Sequence, residues 1–152
     1  MYHTRKSVFF RLILLILAIA MVIPTGASAA VLEPAQPRAS YYLNSYSAYI
    51  YPAGGGKIQI YFSAVGTNYM DELGALSISL YESTDGINWT WKKTFTHDST
   101  SGMLSYDDSY HSGHVDYQGV AGRYYKAYVC IWGGKNGAGD TRYFWTSAKI
   151  AT

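Results

Sequence analysis

The chain has 152 residues, enough for one domain with a substantial core, and only 14% of them are charged. Its formal net charge of +2 arises in the first 29 residues, which hold three basic and no acidic residues. The remainder has nine basic and ten acidic residues. A near-neutral chain lacks the basic face that nucleic-acid binding requires, so we expect no nucleic-acid partner.

The N-terminus has the three-part layout of a secretory signal peptide. Basic residues precede an uncharged apolar run over residues 12–23, and Ala27-Ser28-Ala29 is the small-residue pattern that signal peptidase recognises. A membrane anchor is the alternative, but a spanning helix needs about 20 apolar residues. We therefore predict a cleavable signal over residues 1–29 and a secreted, extracellular protein that is not held in a membrane after cleavage.

The mature chain begins with a short lead-in and continues as alternating strand and turn signals. Residues 30–40 contain two prolines and predict a flexible lead-in, which precedes a domain over residues 41–152. No segment sustains a 3.6-residue period, so we expect no long helix. Loops are predicted over residues 66–74 and 133–139. The predicted strands cover residues 46–51, 57–65, 75–83, 88–96, 123–132 and 140–147, with short strands near 103–106 and 113–117.

Alternation of apolar and polar residues predicts which side chains face the core. In the second strand Ile58, Ile60 and Phe62 face inward, and in the third strand Leu76 and Ile78 do so. Seven or eight short strands with this pattern predict a single all-β domain, an antiparallel β-sandwich of immunoglobulin/fibronectin-like architecture. A small closed barrel is the alternative.

The segment Ser83–Trp89 (STDGINW) resembles the Asp-box hairpin of sialidase-type propellers, although it is one residue shorter and occurs once. The resemblance implies a folding device, not a catalytic group. We expect Asp85 to bind nearby backbone amides, Gly86 to adopt positive φ and Trp89 to pack beneath the turn.

Two further resemblances concern fold and export. Residues 122–130 (GRYYKAYVC) resemble the penultimate strand of immunoglobulin-like sandwiches, where a tyrosine at the strand's start packs at a corner. The segment 81–90, together with the hairpin at 134–137, resembles small secreted proteins of Gram-positive bacteria that are classed as a domain of unknown function. That resemblance implies an exported β-rich domain and supplies no activity or site residue.

Tyrosine is the main anomaly of composition, with 16 tyrosines beside four tryptophans. Alternation places the following residues on the outward faces of their strands, and they form the candidate ligand-binding face: Tyr61, Tyr81, Tyr124, Tyr128 and Trp132. Aromatic rings stack on the C–H faces of sugars, and contiguous exposed apolar surface marks binding sites. A cell-wall glycan or a protein partner would bind there. The alternative is that tyrosine is frequent because it suits strands.

Cys130 is the chain's only cysteine and cannot close an internal disulfide. Its apolar neighbours predict a packed, inert thiol, with an intermolecular disulfide or a reactive thiol as the alternative.

A mixed group of carboxylates and imidazoles lies within ten residues: Asp107, Asp108, His111, His114 and Asp116. Such residues ligate zinc or calcium when they converge. In an extended strand, however, the spacing of the two histidines directs them to opposite faces. We therefore predict a solvated loop, with no metal and no cofactor.

No serine lies in a nucleophile elbow, and Cys130 in an apolar strand is a poor nucleophile, so we predict no enzymatic activity. The function predicted from sequence is a secreted, non-catalytic interaction module of unknown ligand. The alternatives are a carbohydrate or cell-wall binding module, a secreted bacteriocin or toxin-like protein, and a hydrolase.

Overall fold

The computed structural model describes residues 40–152, so the predicted signal peptide and all but the last residue of the predicted lead-in lie outside the described residues. No segment of this range forms a helix, and none could therefore cross a membrane as one. Its nine strands are β1 (Leu43–Gly54), β2 (Lys57–Met70), β3 (Glu72–Ser83), β4 (Thr90–Thr96), β5 (Leu104–Ser105), β6 (Asp108–Gln118), β7 (Tyr124–Lys135), β8 (Ala138–Trp145) and β9 (Lys149–Ile150).

The strands form two antiparallel sheets. One has three strands in the order β1-β2-β6, and the other has six, with the path β4-β3-β7-β8 and the short strands β5 and β9 paired to β3 and β7. This division confirms the predicted all-β sandwich of immunoglobulin/fibronectin-like architecture. The structure has nine strands where seven or eight were predicted. The additional strand is β9, whose two residues are too few to form a periodic pattern in the sequence.

The core lies between the sheets and follows the predicted alternation. Ile58, Ile60 and Phe62 of β2 are at most 2% exposed, and Val129 and Ile131 of β7 are fully buried. Each such side chain contributes about 1.5–3 kcal/mol on burial, so these two central strands supply much of the stabilisation.

Leu76 departs from the predicted inward pattern. The register with β7 shifts between Ala75, opposite Ile131, and Ser77, opposite Cys130, so Leu76 is an unpaired bulge residue. Ala75 takes the fully buried position instead, and Leu76 is only half-buried. The prediction that Leu76 faces the core was therefore wrong.

The two predicted loops at 66–74 and 133–139 were also wrong. Strand β2 continues to Met70, and β7 and β8 leave only a two-residue turn, Asn136-Gly137, between them. The glycines that suggested loops serve close packing inside strands. A Cβ on Gly74 would overlap the carbonyl oxygen of Met103, and one on Gly133 would lie 2.8 Å from the Leu43 side chain.

A buried tyrosine at the start of β7 confirms the predicted corner. Tyr125 is fully buried; its hydroxyl donates to Oε2 of Glu82 at 2.5 Å and accepts from the Val120 N–H at 2.9 Å. Burial, followed by the hydrogen bond to Glu82, raises the pKa of Tyr125 to about 12. The phenol therefore stays protonated and joins β7 to β3.

The turn after β3 has the predicted Asp-box character. Oδ1 of Asp85 accepts from the N–H groups of Ile87 and Asn88, both at 2.8 Å, and Gly86 has a φ of 75°. The Ser83 hydroxyl also donates to Asp85 Oδ1, at 2.8 Å. One side chain thus fixes the connection between β3 and β4.

Candidate functional site

The five predicted site residues are divided between the two sheets. Tyr61 lies on the outer face of the three-stranded sheet, whereas Tyr81 and Tyr128 lie on the outer face of the six-stranded sheet. Trp132 shares that second face at its far end. Tyr124 starts β7 beside the Asp85 turn, with its ring 3.8 Å from where a Gly86 Cβ would be. The structure therefore brings together Tyr81 and Tyr128, with Trp132 farther along.

Four rings form a continuous surface on the six-stranded sheet, which we call the aromatic strip: Tyr81, Tyr128, Tyr143 and Trp145. The Trp145 ring lies 4.9 Å from that of Tyr128 and 5.1 Å from that of Tyr81, and Tyr143 stacks on Tyr128 at 5.9 Å. These separations are typical of favourable aromatic pairs. The rings hold one another in place across β3, β7 and β8.

The strip is open to solvent. Tyr128 is 37% exposed, Trp145 48% and Tyr143 61%. Hydroxyl groups border it on the β4 side, where the Ser79 and Thr94 side chains lie 2.9 Å apart. The strip therefore combines flat apolar rings with polar groups at their edges.

Lys126 supplies a positive charge beside the strip. Its ammonium lies 4.5 Å from the centre of the Trp145 ring and 4.3 Å from the centre of the Trp89 ring. Because Lys126 is on the outer face of β7, Trp89 packs on that face too. A cation between two indole faces is attracted by both ring quadrupoles. This arrangement fixes the orientation of Trp145 and joins the Asp85 turn to the strip.

Tyr143 and Trp145 are site residues that the sequence interpretation missed. They alternate with Phe144, which packs against the core, so the period-2 pattern of β8 contained the signal. The sequence did not show which residues of β8 face the core, because the strand's other residues are polar or small and do not form an apolar face.

Cys130 lies between Ser77 of β3 and Tyr143 of β8, opposite each in the register, and is 4% exposed. Burial raises the pKa of its thiol, although hydrogen bonds with Tyr143 and Ser77 act the other way. The predicted packed thiol is confirmed, and it lies on the outer face of the six-stranded sheet beside Tyr143.

Tyr61 belongs to a separate group on the three-stranded sheet. Its ring stacks on Tyr49 at 5.1 Å and on His114 at 5.0 Å, one residue from each of the three strands. The sandwich core separates this group from the strip, since packed sheets lie about 10 Å apart.

The two histidines of the predicted polar loop face opposite ways, as expected, but they lie in strand β6. The His111 ring packs 5.6 Å from Phe62 and its Nε2 is 2.9 Å from the Gly102 carbonyl oxygen. Asp116 pairs with Lys57 at 3.0 Å and lies 3.8 Å from His114. Residues 40–152 contain no group of three or more His, Cys, Asp or Glu side chains placed to hold a metal ion.

Comparison with known proteins leaves the site to be interpreted from its own geometry. The chain matches no protein-family model and no curated protein. It has a TM-score of 0.34 and 15% identity to the crystal structure of a family 76 glycoside hydrolase from a bovine Bacteroides thetaiotaomicron strain. The match covers 72% of this chain and 20% of that one, so this chain spans about a fifth of that protein's length. The predicted relationship to small secreted Gram-positive proteins stays a prediction.

Proposed function

We propose that this protein is a secreted, non-catalytic module that binds an extended glycan, such as a cell-wall polysaccharide, along the aromatic strip. The observation that carries the proposal is the row of rings that pack against one another across β3, β7 and β8, three of which are exposed to solvent.

The chemistry of the strip favours a sugar chain as the occupant. Exposed Tyr and Trp rings offer flat faces for the C–H groups of pyranose rings, while Tyr hydroxyls and the neighbouring Ser79 and Thr94 offer hydrogen bonds. Because the rings pack against one another, little conformational entropy is lost when a ligand covers them. Lys126 is held between two indoles and adds one donor at the edge.

Retention on insoluble polysaccharides tests the proposal. The purified mature protein should be retained on at least one of peptidoglycan, chitin, cellulose or mannan. Trp145→Ala should weaken binding about fivefold, because one stacking ring is worth roughly 1 kcal/mol. Tyr49→Ala is the matched control, since it also removes an exposed, stacked tyrosine but from the other sheet.

Absence of retention on every polysaccharide would refute a glycan ligand. Equal losses for Trp145→Ala and Tyr49→Ala, or loss only in Tyr49→Ala, would place binding away from the strip. Both variants truncate exposed rings, so an unchanged thermal midpoint checks that each is folded.

A further inference from the structure

A cleft lies at the far end of the face that carries the aromatic strip. It has a volume of about 480 Å³, and its lining includes Asp71, Glu72, Tyr106, Trp132, Gly134 and Lys135. Sites for small ligands range from roughly 300 to 1,000 Å³, so the cleft is the size of a small-molecule site. The strip ends at Tyr143, which lies opposite Cys130 in the register. Trp132 follows Cys130 by two residues along β7, a distance of about 7 Å, so the cleft lies just past the end of the strip.

The indole of Trp132 is seated on the glycines of the β7–β8 hairpin. A Cβ on Gly134 would lie 2.6 Å from the indole, and one on Gly139, opposite Gly134 in the register, would collide with it. Both positions must therefore lack a side chain for the ring to lie over this backbone. The glycines of this hairpin thus allow the flat Trp132 indole to lie directly against the backbone, where it forms the aromatic platform of the cleft.

The platform is oriented by a carboxylate. Nε1 of Trp132 donates to Oε2 of Glu72 at 3.0 Å, which fixes the indole against rotation, and Glu72 itself lines the cleft. Asp71 accepts from the Asn136 N–H at 2.6 Å, and the Lys135 ammonium donates to the Tyr69 carbonyl at 2.8 Å. The cleft wall thus carries fixed acceptors and a fixed donor around one flat ring.

These features discriminate between ligand classes. A flat apolar platform ringed by carboxylate acceptors and an ammonium donor matches a ring that is apolar on its C–H face and hydroxylated at its edge. A cationic ligand would be attracted by two carboxylates and two rings and opposed only by Lys135, so a cation is the competing ligand and is included in the test below. An anion would face Asp71 and Glu72.

The geometry points to this cleft as a site for a single neutral pyranose ring, stacked on Trp132 and hydrogen-bonded through its hydroxyls to Glu72. This inference rests on the proposed glycan function and deepens it, because the cleft would hold one terminal ring of a chain that lies along the aromatic strip.

Indole N–H signals in ¹⁵N-resolved NMR spectra of the mature protein test the inference. The four tryptophans give four such signals, and the variants Trp132→Phe and Trp145→Phe identify those of the cleft and the strip. The probes are free glucose, galactose, mannose and N-acetylglucosamine, their linear oligosaccharides, and choline as a cation. We expect a monosaccharide to shift the Trp132 signal and leave that of Trp145 in place.

The outcomes separate the two proposals. Oligosaccharides that shift the Trp145 signal but not the Trp132 signal would overturn the cleft site and leave the strip standing. Sugars that shift only Trp132, in monomeric and oligomeric form alike, would support the cleft and overturn the strip. No shift with any sugar would overturn both, and a Trp132 shift with choline alone would overturn the sugar assignment.

A charge-matched pair of variants tests the role of Glu72. Glu72→Gln keeps an oxygen for the Trp132 N–H but loses the charge-assisted hydrogen bond to a sugar hydroxyl, so monosaccharide affinity should fall about tenfold. Asp98→Asn removes one negative charge from a side chain that is 82% exposed and outside the cleft, and should leave affinity unchanged. If Glu72→Gln and Asp98→Asn had the same monosaccharide affinity, Glu72 would not be a ligand-binding residue.

Discussion

At the scale of single residues, Asp85 is the side chain on which most local structure depends. Hydrogen bonds from the Asn88 and Ile87 amides, and then from the side chains of Asn88 and Ser83, hold the pKa of Asp85 well below its usual range. A carboxylate that is hydrogen-bonded only in the folded state stabilises that state while it is ionised.

We expect this contribution to depend on pH. Because the folded-state pKa is depressed, the stabilisation is complete above the unfolded-state pKa of about 3.9 and is lost as the pH falls below it. Asp85→Asn should therefore be less stable than the wild type near pH 7, and the difference should shrink towards pH 3. Urea unfolding at several pH values measures both curves.

Asp98→Asn provides the control, since the Asp98 side chain is 82% exposed and lies 3.5 Å from His97. Its difference from the wild type should be small at every pH. A gap between Asp85→Asn and the wild type that does not change with pH would contradict the proposed role of the carboxylate.

At the scale of elements, the β7–β8 hairpin combines a tight turn with an aromatic seat. Asn136 and Gly137 have φ values of 54° and 77°, as a two-residue hairpin turn requires, whereas Gly134 and Gly139 are needed for close approach of the Trp132 indole. Glycines a few residues apart therefore serve two different physical purposes.

Gly139→Ala should destabilise the domain by about 1–3 kcal/mol, because the added methyl group must displace the indole of Trp132 or the hairpin backbone. Urea unfolding measures the change, and near-ultraviolet circular dichroism should show altered tryptophan packing. Ala138→Ser, at an exposed position of the same strand, should stay within about 0.5 kcal/mol of the wild type. Unchanged stability in Gly139→Ala would mean that the indole is not seated on this glycine.

At the scale of the whole molecule, the domain depends chiefly on its packed core for stability. Cys130 is buried and is the single cysteine, so no disulfide crosslinks the sheets. The inward-facing side chains of β2, β3 and β7 are almost entirely removed from water. These strands are central in their sheets, and the sandwich is held by their packing.

The thermal midpoint should consequently be the same with and without a reductant. Ile60→Ala, in contrast, should lower the free energy of unfolding by about 2–5 kcal/mol, because Ile60 is fully buried at the centre of β2. A midpoint that falls on reduction, or a reductant-sensitive dimer on gel filtration, would reveal a disulfide between chains through Cys130.

The fold class could be predicted because alternation is a local signal. Ile58, Ile60 and Phe62 mark the core face of β2 whatever the strand pairs with. The bulge at Leu76 could not be predicted, since it is a property of the register between β3 and β7. The glycines at 133–139 were predicted to form a loop because their purpose depends on three-dimensional packing: Gly133 lies against Leu43, far away in the chain, and Gly134 and Gly139 lie against the Trp132 indole.

The candidate site could be predicted only in part. Sequence alternation placed Tyr81 and Tyr128 outward, and pairing of β3 with β7 then made them neighbours. Tyr61 has the same pattern, yet its strand joins the other sheet. The sequence by itself determined the strand-rich architecture, the outward aromatic positions and the Asp85 turn, because each depends on residues close in the chain. Tertiary structure alone decided which rings meet, since that depends on strand order and register between distant segments.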